Sequence, residues 1–284
     1  MGDIIRTLRA SPLFALALLL TLAAAGFNGL MVFLMMLELD LPGAFGQMTH
    51  FQELSHRVHD LTFGFLFLPA VAGILAQFRR PQQNVAGMLM ALMPTAGLLL
   101  TLLLTLVLTD NTRVFQPPWV TVGAAAFIAL SLHPGGRDFF ESFRVARVNR
   151  VMLGIVVIAA VPLLVYASTN VGLQGSVADD HAAAGHYGFM AAFSVTVIGV
   201  GLLASLRADG WRLTAWVAGL LPALLGVTSL AYPLTSSLSL LWALAAIAWG
   251  AGFVSVAEYS RKRSGAILLG SWRTRATKTG LRDS

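Results

Sequence analysis

The chain has 284 residues, 57% of them hydrophobic and only 11% charged, with a formal net charge of +6. A soluble domain carries about 25% charged residues; here apolar residues form long blocks divided by short polar joints, the pattern of a polytopic membrane protein. The chain has no cysteine, which excludes disulfides, thiolate ligands and thiol nucleophiles.

Eight apolar blocks read as transmembrane spans, over about 12–37, 54–78, 85–109, 119–133, 151–169, 182–206, 213–232 and 238–258, the fourth being short. The first block is too long for a signal-peptide core and has no small-residue cleavage pattern, so it is counted as a span. With the N-terminus inside, 17 of the 19 lysines and arginines fall on the cytoplasmic side and only Arg57 and Arg113 outside. That asymmetry predicts a protein integral to the cytoplasmic (inner) membrane with both termini cytoplasmic. It also explains the basic composition as topology determinants beside anionic lipid, so membrane lipid is an expected partner and nucleic acid is not.

The two halves of the chain resemble each other. A shift of 128 residues places Phe65 on Phe193, Gly73 on Gly201, Arg79 on Arg207, Leu92 on Leu220 and Pro94 on Pro222 without a gap. The expected fold is an all-α integral membrane protein of eight transmembrane helices, arranged as two pseudo-symmetric four-helix halves. The expected divisions are 1–136 for the first half, 137–150 for a basic cytoplasmic linker, 151–259 for the second half and 260–284 for a flexible basic tail.

The chemistry concentrates at the start of span 2, where Glu53, His56, Arg57, His59 and Asp60 precede and enter an apolar run. Ionisable groups against a membrane span are costly and mark functional sites. At about 100° per residue, Glu53, Arg57 and Asp60 share one face; His56 lies about 60° from Glu53 and His59 a further 60° round. The equivalent end of span 6 carries His181 and His186, about 140° apart on one continuous helix, so one of them, His186, is expected to face the bundle. Neutral imidazole is a metal ligand and a haem ligand. Arg57 can pair with a propionate, and Glu53 can orient a histidine or act as acid or base. The bland alternative is a solvated helix end. His50 and His133 read as solvated loop residues. Pro69, Pro94, Pro162 and Pro222 are candidate kinks, and Trp119, Trp211 and Trp242 candidate interfacial anchors.

Glu-Leu-Ser-His-Arg at 53–57, opening the second of eight spans in two halves, resembles the E-x-x-H-R of the haem A synthases. Residues 98–130 are similar to that family's third and fourth spans, where a proline-tryptophan pair opens the fourth. The resemblance implies oxidation of a haem O methyl to a formyl group at the membrane. Glu53 would be the mechanistic carboxylate, His56 a haem ligand, and His186 or His181 the span 6 ligand. Haem b or haem O is the cofactor so implied. The chain departs from the family in having no histidine in span 4, where Val122, Gly123 and Ala124 stand, or in span 8, where Leu241, Trp242 and Ala243 stand. A single tetrapyrrole held by one histidine, or by one from each half, fits what is left. The alternative is a non-catalytic subunit or assembly factor of a larger respiratory or photosynthetic membrane complex; a solute or proton-coupled transporter ranks last.

Overall fold

The computed structural model describes residues 10–36, 57–109, 117–234 and 237–280. Among them there is no strand, and the protein is an all-helical, membrane-embedded type of molecule. Its helices are α1 (Pro12–Met36), α2 (Arg57–Phe65), α3 (Phe67–Gln77), α4 (Val85–Thr109), α5 (Pro117–Ser131), α6 (Glu141–Val145), α7 (Arg150–Ser176), α8 (Asp180–Ala184), α9 (His186–Leu206), α10 (Trp211–Ala231) and α11 (Leu240–Gly280). Counting α2 and α3 as one, seven helices among the described residues are long and apolar enough to cross a membrane. The fourth expected span is the 15-residue α5. At 1.5 Å per residue it is about 22 Å long, short of the ~30 Å hydrocarbon thickness.

Burial sorts the helices into an inner and an outer set. Within its most apolar stretch α9 is 72% buried and α10 61%, against 17% for α7 and 22% for α11. The α2–α3 unit, α4, α9 and α10 pack on one another in the middle; α1 and α5 flank one side, while α7 lies against α9 and α11 against α10. Outer helices turn long apolar side chains outward, as Val157, Ile158, Val161, Leu164 and Val165 do on α7. Hydrocarbon tails are the matching solvent for such a surface.

Departures from the expected boundaries have local causes. Span 2 breaks at Leu66 because Pro69 has no N–H to give the Phe65 carbonyl; the Leu66 N–H is shared between Thr62 and Phe63 carbonyls at 3.3 and 3.2 Å. Span 5 runs on to Ser176, past its expected end at 169, because Asn170 and Gln174 are satisfied internally rather than by water. Pro94, Pro162 and Pro222 lie inside α4, α7 and α10, which continue through them. The last helix has 41 residues and is continuous across 259–260, where the sequence suggests that a flexible tail begins; no proline follows Tyr259 to stop it.

Small residues and a few polar ties hold the bundle together. A Cβ on Gly219 of α10 would meet the Gly250 carbonyl oxygen of α11 at 2.6 Å, so these two backbones touch. Near one end of the same pair, Glu258 accepts from Arg212 at 2.6 Å, Trp216 at 2.9 Å and Arg261 at 2.9 Å. At this end the Ala86 N–H also donates to the Asp209 carbonyl at 2.8 Å, joining the first turn of α4 to the loop before α10.

His133, expected to be solvated, is instead buried, at 5% exposure. The rings of Phe14 and Phe139 meet it edge-on at 5.4 and 4.8 Å, and Gly135 N–H donates to its Nδ1 at 3.0 Å. Two aromatic rings distant in sequence close over it, which no local pattern announces.

Gly219→Ala should destabilise the protein by about 1–3 kcal/mol through overpacking. Gly252→Ala, with nothing within 4 Å of its Cβ, should leave thermal unfolding unchanged or raise its midpoint. Equal midpoints for the two variants would count against the close α10–α11 contact. His133 gives a pH prediction. Burial holds its imidazole below the ordinary value, with the Pro81 carbonyl opposing. The unfolded chain therefore binds the proton more readily, and the stabilisation from neutral His133 is present above about pH 6.5 and lost below it. The unfolding midpoint should fall between about pH 7.5 and about pH 5, and His133→Gln should flatten that fall. An unchanged acid slope in the variant would argue against it.

Candidate metal centre

Two segments distant in sequence meet at the end of the bundle where α2 begins. The first turn of α2 supplies Arg57, His59 and Asp60, all buried. The second segment is a helix broken in two. Asp179 caps α8 by accepting from Ala182 N–H at 2.7 Å, and Gly185 ends it in the left-handed region at φ 78° before α9 starts at His186. Glycine takes this conformation without the Cβ clash that other residues meet.

Gln174, in the last turn of α7, fixes the break. Its side-chain nitrogen donates to the Ala182 carbonyl at 2.7 Å, and its oxygen accepts from Gly188 N–H at 3.0 Å. One amide therefore holds both sides of Gly185. Tyr187 adds a second tie, its hydroxyl donating to Asp179 at 2.8 Å. Burial alone would raise the Asp179 carboxyl, but the Ala182 and Tyr187 hydrogen bonds and nearby His181 together hold it below the usual carboxylate value.

His59, His181 and His186 come together as a result. Ring centroids are 5.0 Å apart for His59–His181, 5.3 Å for His59–His186 and 5.6 Å for His181–His186. One ligand atom from each lies within 4.8 Å of the others. An ion about 2.0–2.1 Å from each nitrogen draws a tetrahedral set to about 3.4 Å apart, so ring rotations must close the set by up to roughly 1.4 Å. Asp60 stands behind His186, with Oδ1 3.4 Å from Nε2, and it interacts electrostatically with Arg57. Its Oδ2 has no hydrogen-bond partner among the described residues. A carboxylate behind a histidine is the usual second layer of a metal site, fixing tautomer and ring orientation.

The tetrapyrrole fits this arrangement less well. Phe63 and Phe189 pack tilted with ring centroids 4.4 Å apart, a turn along from His59 and from His186 respectively, and the three imidazole centroids are only 5.0–5.6 Å apart. Among the described residues no slot for a macrocycle lies between His59 and His186. A groove of about 440 Å³, lined by Gly26, Gly29, Gly64 and apolar side chains, has no histidine or charged group among the described residues of its wall. Its α2 residues Leu61 and Gly64 lie about 140–160° round from His59.

Of the residues singled out by sequence, His59, His181, His186 and Arg57 are gathered here, whereas Glu53 and His56 lie outside the described residues. The expectation that only one of His181 and His186 faces the bundle is corrected. The 140° separation assumes one continuous helix, and Gly185 breaks it. The signal was present, since an aspartate cap and a glycine five residues after Asp180 delimit a short helix. Gln174 had no such signal, because its partners Ala182 and Gly188 are defined only by the fold. No family model, no curated protein and no solved structure matches the chain.

Proposed function

We propose that this is an integral membrane metalloprotein whose working centre is one divalent transition-metal ion held directly by His59, His181 and His186. The observation that carries this reading is the convergence of three imidazoles from two distant segments within 4.8 Å, with a buried carboxylate behind one of them. Imidazole-rich sites suit zinc, copper, iron and nickel rather than magnesium or calcium. In the finer architecture, α1–α5 and α7–α11 are two four-helix halves, with α2 and α3 one span and α8 leading into α9. Their packing supports this: α3 lies on α4 as α9 lies on α10, α1 on α2–α3 as α7 on α9, and α4 on α9 as α10 on α2–α3. Exchange of the halves maps each pair onto the other. The distribution of arginine and lysine supports an orientation with the histidine end at the outer face of the cytoplasmic membrane and both termini inside.

Purified chain supplied with Zn²⁺ or Co²⁺ should hold one ion. His59→Ala, His181→Ala and His186→Ala should each weaken binding by about 100-fold or more, beyond the 10–100-fold expected for an outer partner. His133→Ala should bind as wild type. A wild-type chain that takes up no metal, or unchanged affinity in His186→Ala, refutes the reading.

A second reading keeps the haem A synthase-like role, with haem b or haem O as ligand. It is supported by the facing of span 2 and span 6 histidines, one from each half, and by buried Arg57 beside them. Because the His59 and His186 centroids are only 5.3 Å apart, the ring would be carried through His56, with Glu53 as the carboxylate that acts on it. An absorption spectrum after haem supplementation tests it. A Soret band that collapses in His56→Ala supports haem binding, and the absence of a band removes it.

A further inference from the structure

We infer that the end of the bundle opposite the histidines binds one phospholipid whose headgroup carries two phosphates. The inference is independent of the metal reading and starts from Asn149, which ties three elements together at that end. Its side-chain oxygen caps α7, accepting from Val151 N–H at 3.1 Å and Met152 N–H at 3.2 Å. Its backbone N–H donates to the Ser205 carbonyl, near the end of α9, at 2.8 Å. Its side-chain nitrogen donates to Ser260 Oγ of α11, also at 2.8 Å.

Cations stand beside each of these contacts. Arg147 and Arg150 flank Asn149, Arg207 follows Ser205 by two residues, and Arg261 and Lys262 follow Ser260. Segments 141–150, 205–212 and 258–262 together hold seven arginines and lysines against three carboxylates. Two of those carboxylates are engaged, Glu141 by Arg144 at 2.6 Å and Glu258 by Arg212 and Arg261 at 2.6 and 2.9 Å. Arg147, Arg150 and Lys262 are exposed, and among the described residues none of them has a carboxylate within ion-pair distance. Cations that only set topology need to lie near the membrane surface, not to be drawn together. Here a hydrogen bond between residues 111 apart in sequence draws them together.

The arrangement selects the partner by charge. Arg147 and Arg150 lie on one side of the Asn149–Ser260 bond, Arg261 and Lys262 on the other. A headgroup with two phosphates meets both pairs at once, whereas a single phosphate meets one. Basic pockets between membrane helices suit such headgroups. Acyl chains have room beside them: a Cβ on Gly154 of α7 or on Gly252 of α11 would meet nothing within 4 Å. Next to these glycines Trp249 Nε1 donates to the Ile155 carbonyl at 3.1 Å, joining the two helices. Val151 and Ile158 of α7 add exposed apolar surface below the cations.

The test uses the full chain, delipidated in detergent and titrated with tetraoleoyl cardiolipin or, at matched phosphate, dioleoyl phosphatidylglycerol. Binding is read by native mass spectrometry and by the thermal unfolding midpoint. The expected result is one cardiolipin per chain, held more tightly than phosphatidylglycerol and raising the midpoint. Arg147→Gln, Arg150→Gln and Lys262→Gln should each weaken it about fivefold, the scale of one cation beside anionic lipid, and the triple variant about 100-fold. The double variant Arg79→Gln, Arg80→Gln removes two exposed cations from the loop after α3 and should bind as wild type. No retained cardiolipin, equal binding of the two lipids, or undiminished binding in the triple variant overturns the inference. So does a loss in the double variant as large as in the triple one, which would mark a diffuse basic surface instead of a site.

Discussion

The contact between α2 and α9 is the constraint on which the rest of the structure depends. Both helices lie in the centre of the bundle, and in lipid no hydrophobic force draws one apolar helix to another. Their approach depends on interlocking shape, with Phe63 against Phe189, and on the polar groups they share at one end. Ionisable side chains there would be expensive against hydrocarbon. Placed between two helices they face each other, so the features that make the site chemically unusual also make it a join between the two parts of the chain.

The rigidity of that join comes from elements with no chemistry of their own. A histidine on a free loop would sample many positions, and a metal site needs its ligands held close to final geometry. Here the loop is reduced to a five-residue helix, one glycine and the start of α9, with both sides of the glycine bonded to the same Gln174 amide. His59 needs no such help, since it is already in the first turn of a buried helix.

Much of this was legible in the sequence, and what was not has identifiable causes. Long apolar blocks announce helices in lipid, because the backbone has no other way to satisfy itself there. The cluster at the start of span 2 and its counterpart at span 6 were likewise visible, since charge is rare enough in such a chain to stand out. The burial of His133 was not visible: Phe14 and Phe139 are far from each other in sequence and meet only because α1 packs against α5. The end of span 5 was missed for a related reason. Asn170 and Gln174 look like a solvated helix end until the inward-facing Ala182 carbonyl and Gly188 amide are in place to receive Gln174.

The 27 residues of α7 give it a length of about 40 Å, longer than the ~30 Å hydrocarbon layer. A helix too long for its bilayer relieves the mismatch by tilting, and the tilt changes with membrane thickness. α7 is an outer helix packed on α9 and carries Gln174, whose amide spans Gly185, in its last turn, so its tilt bears on that amide. The two backbone groups that flank Gly185, and with them the approach of His181 to His186, are thus tied to a helix longer than the hydrocarbon layer.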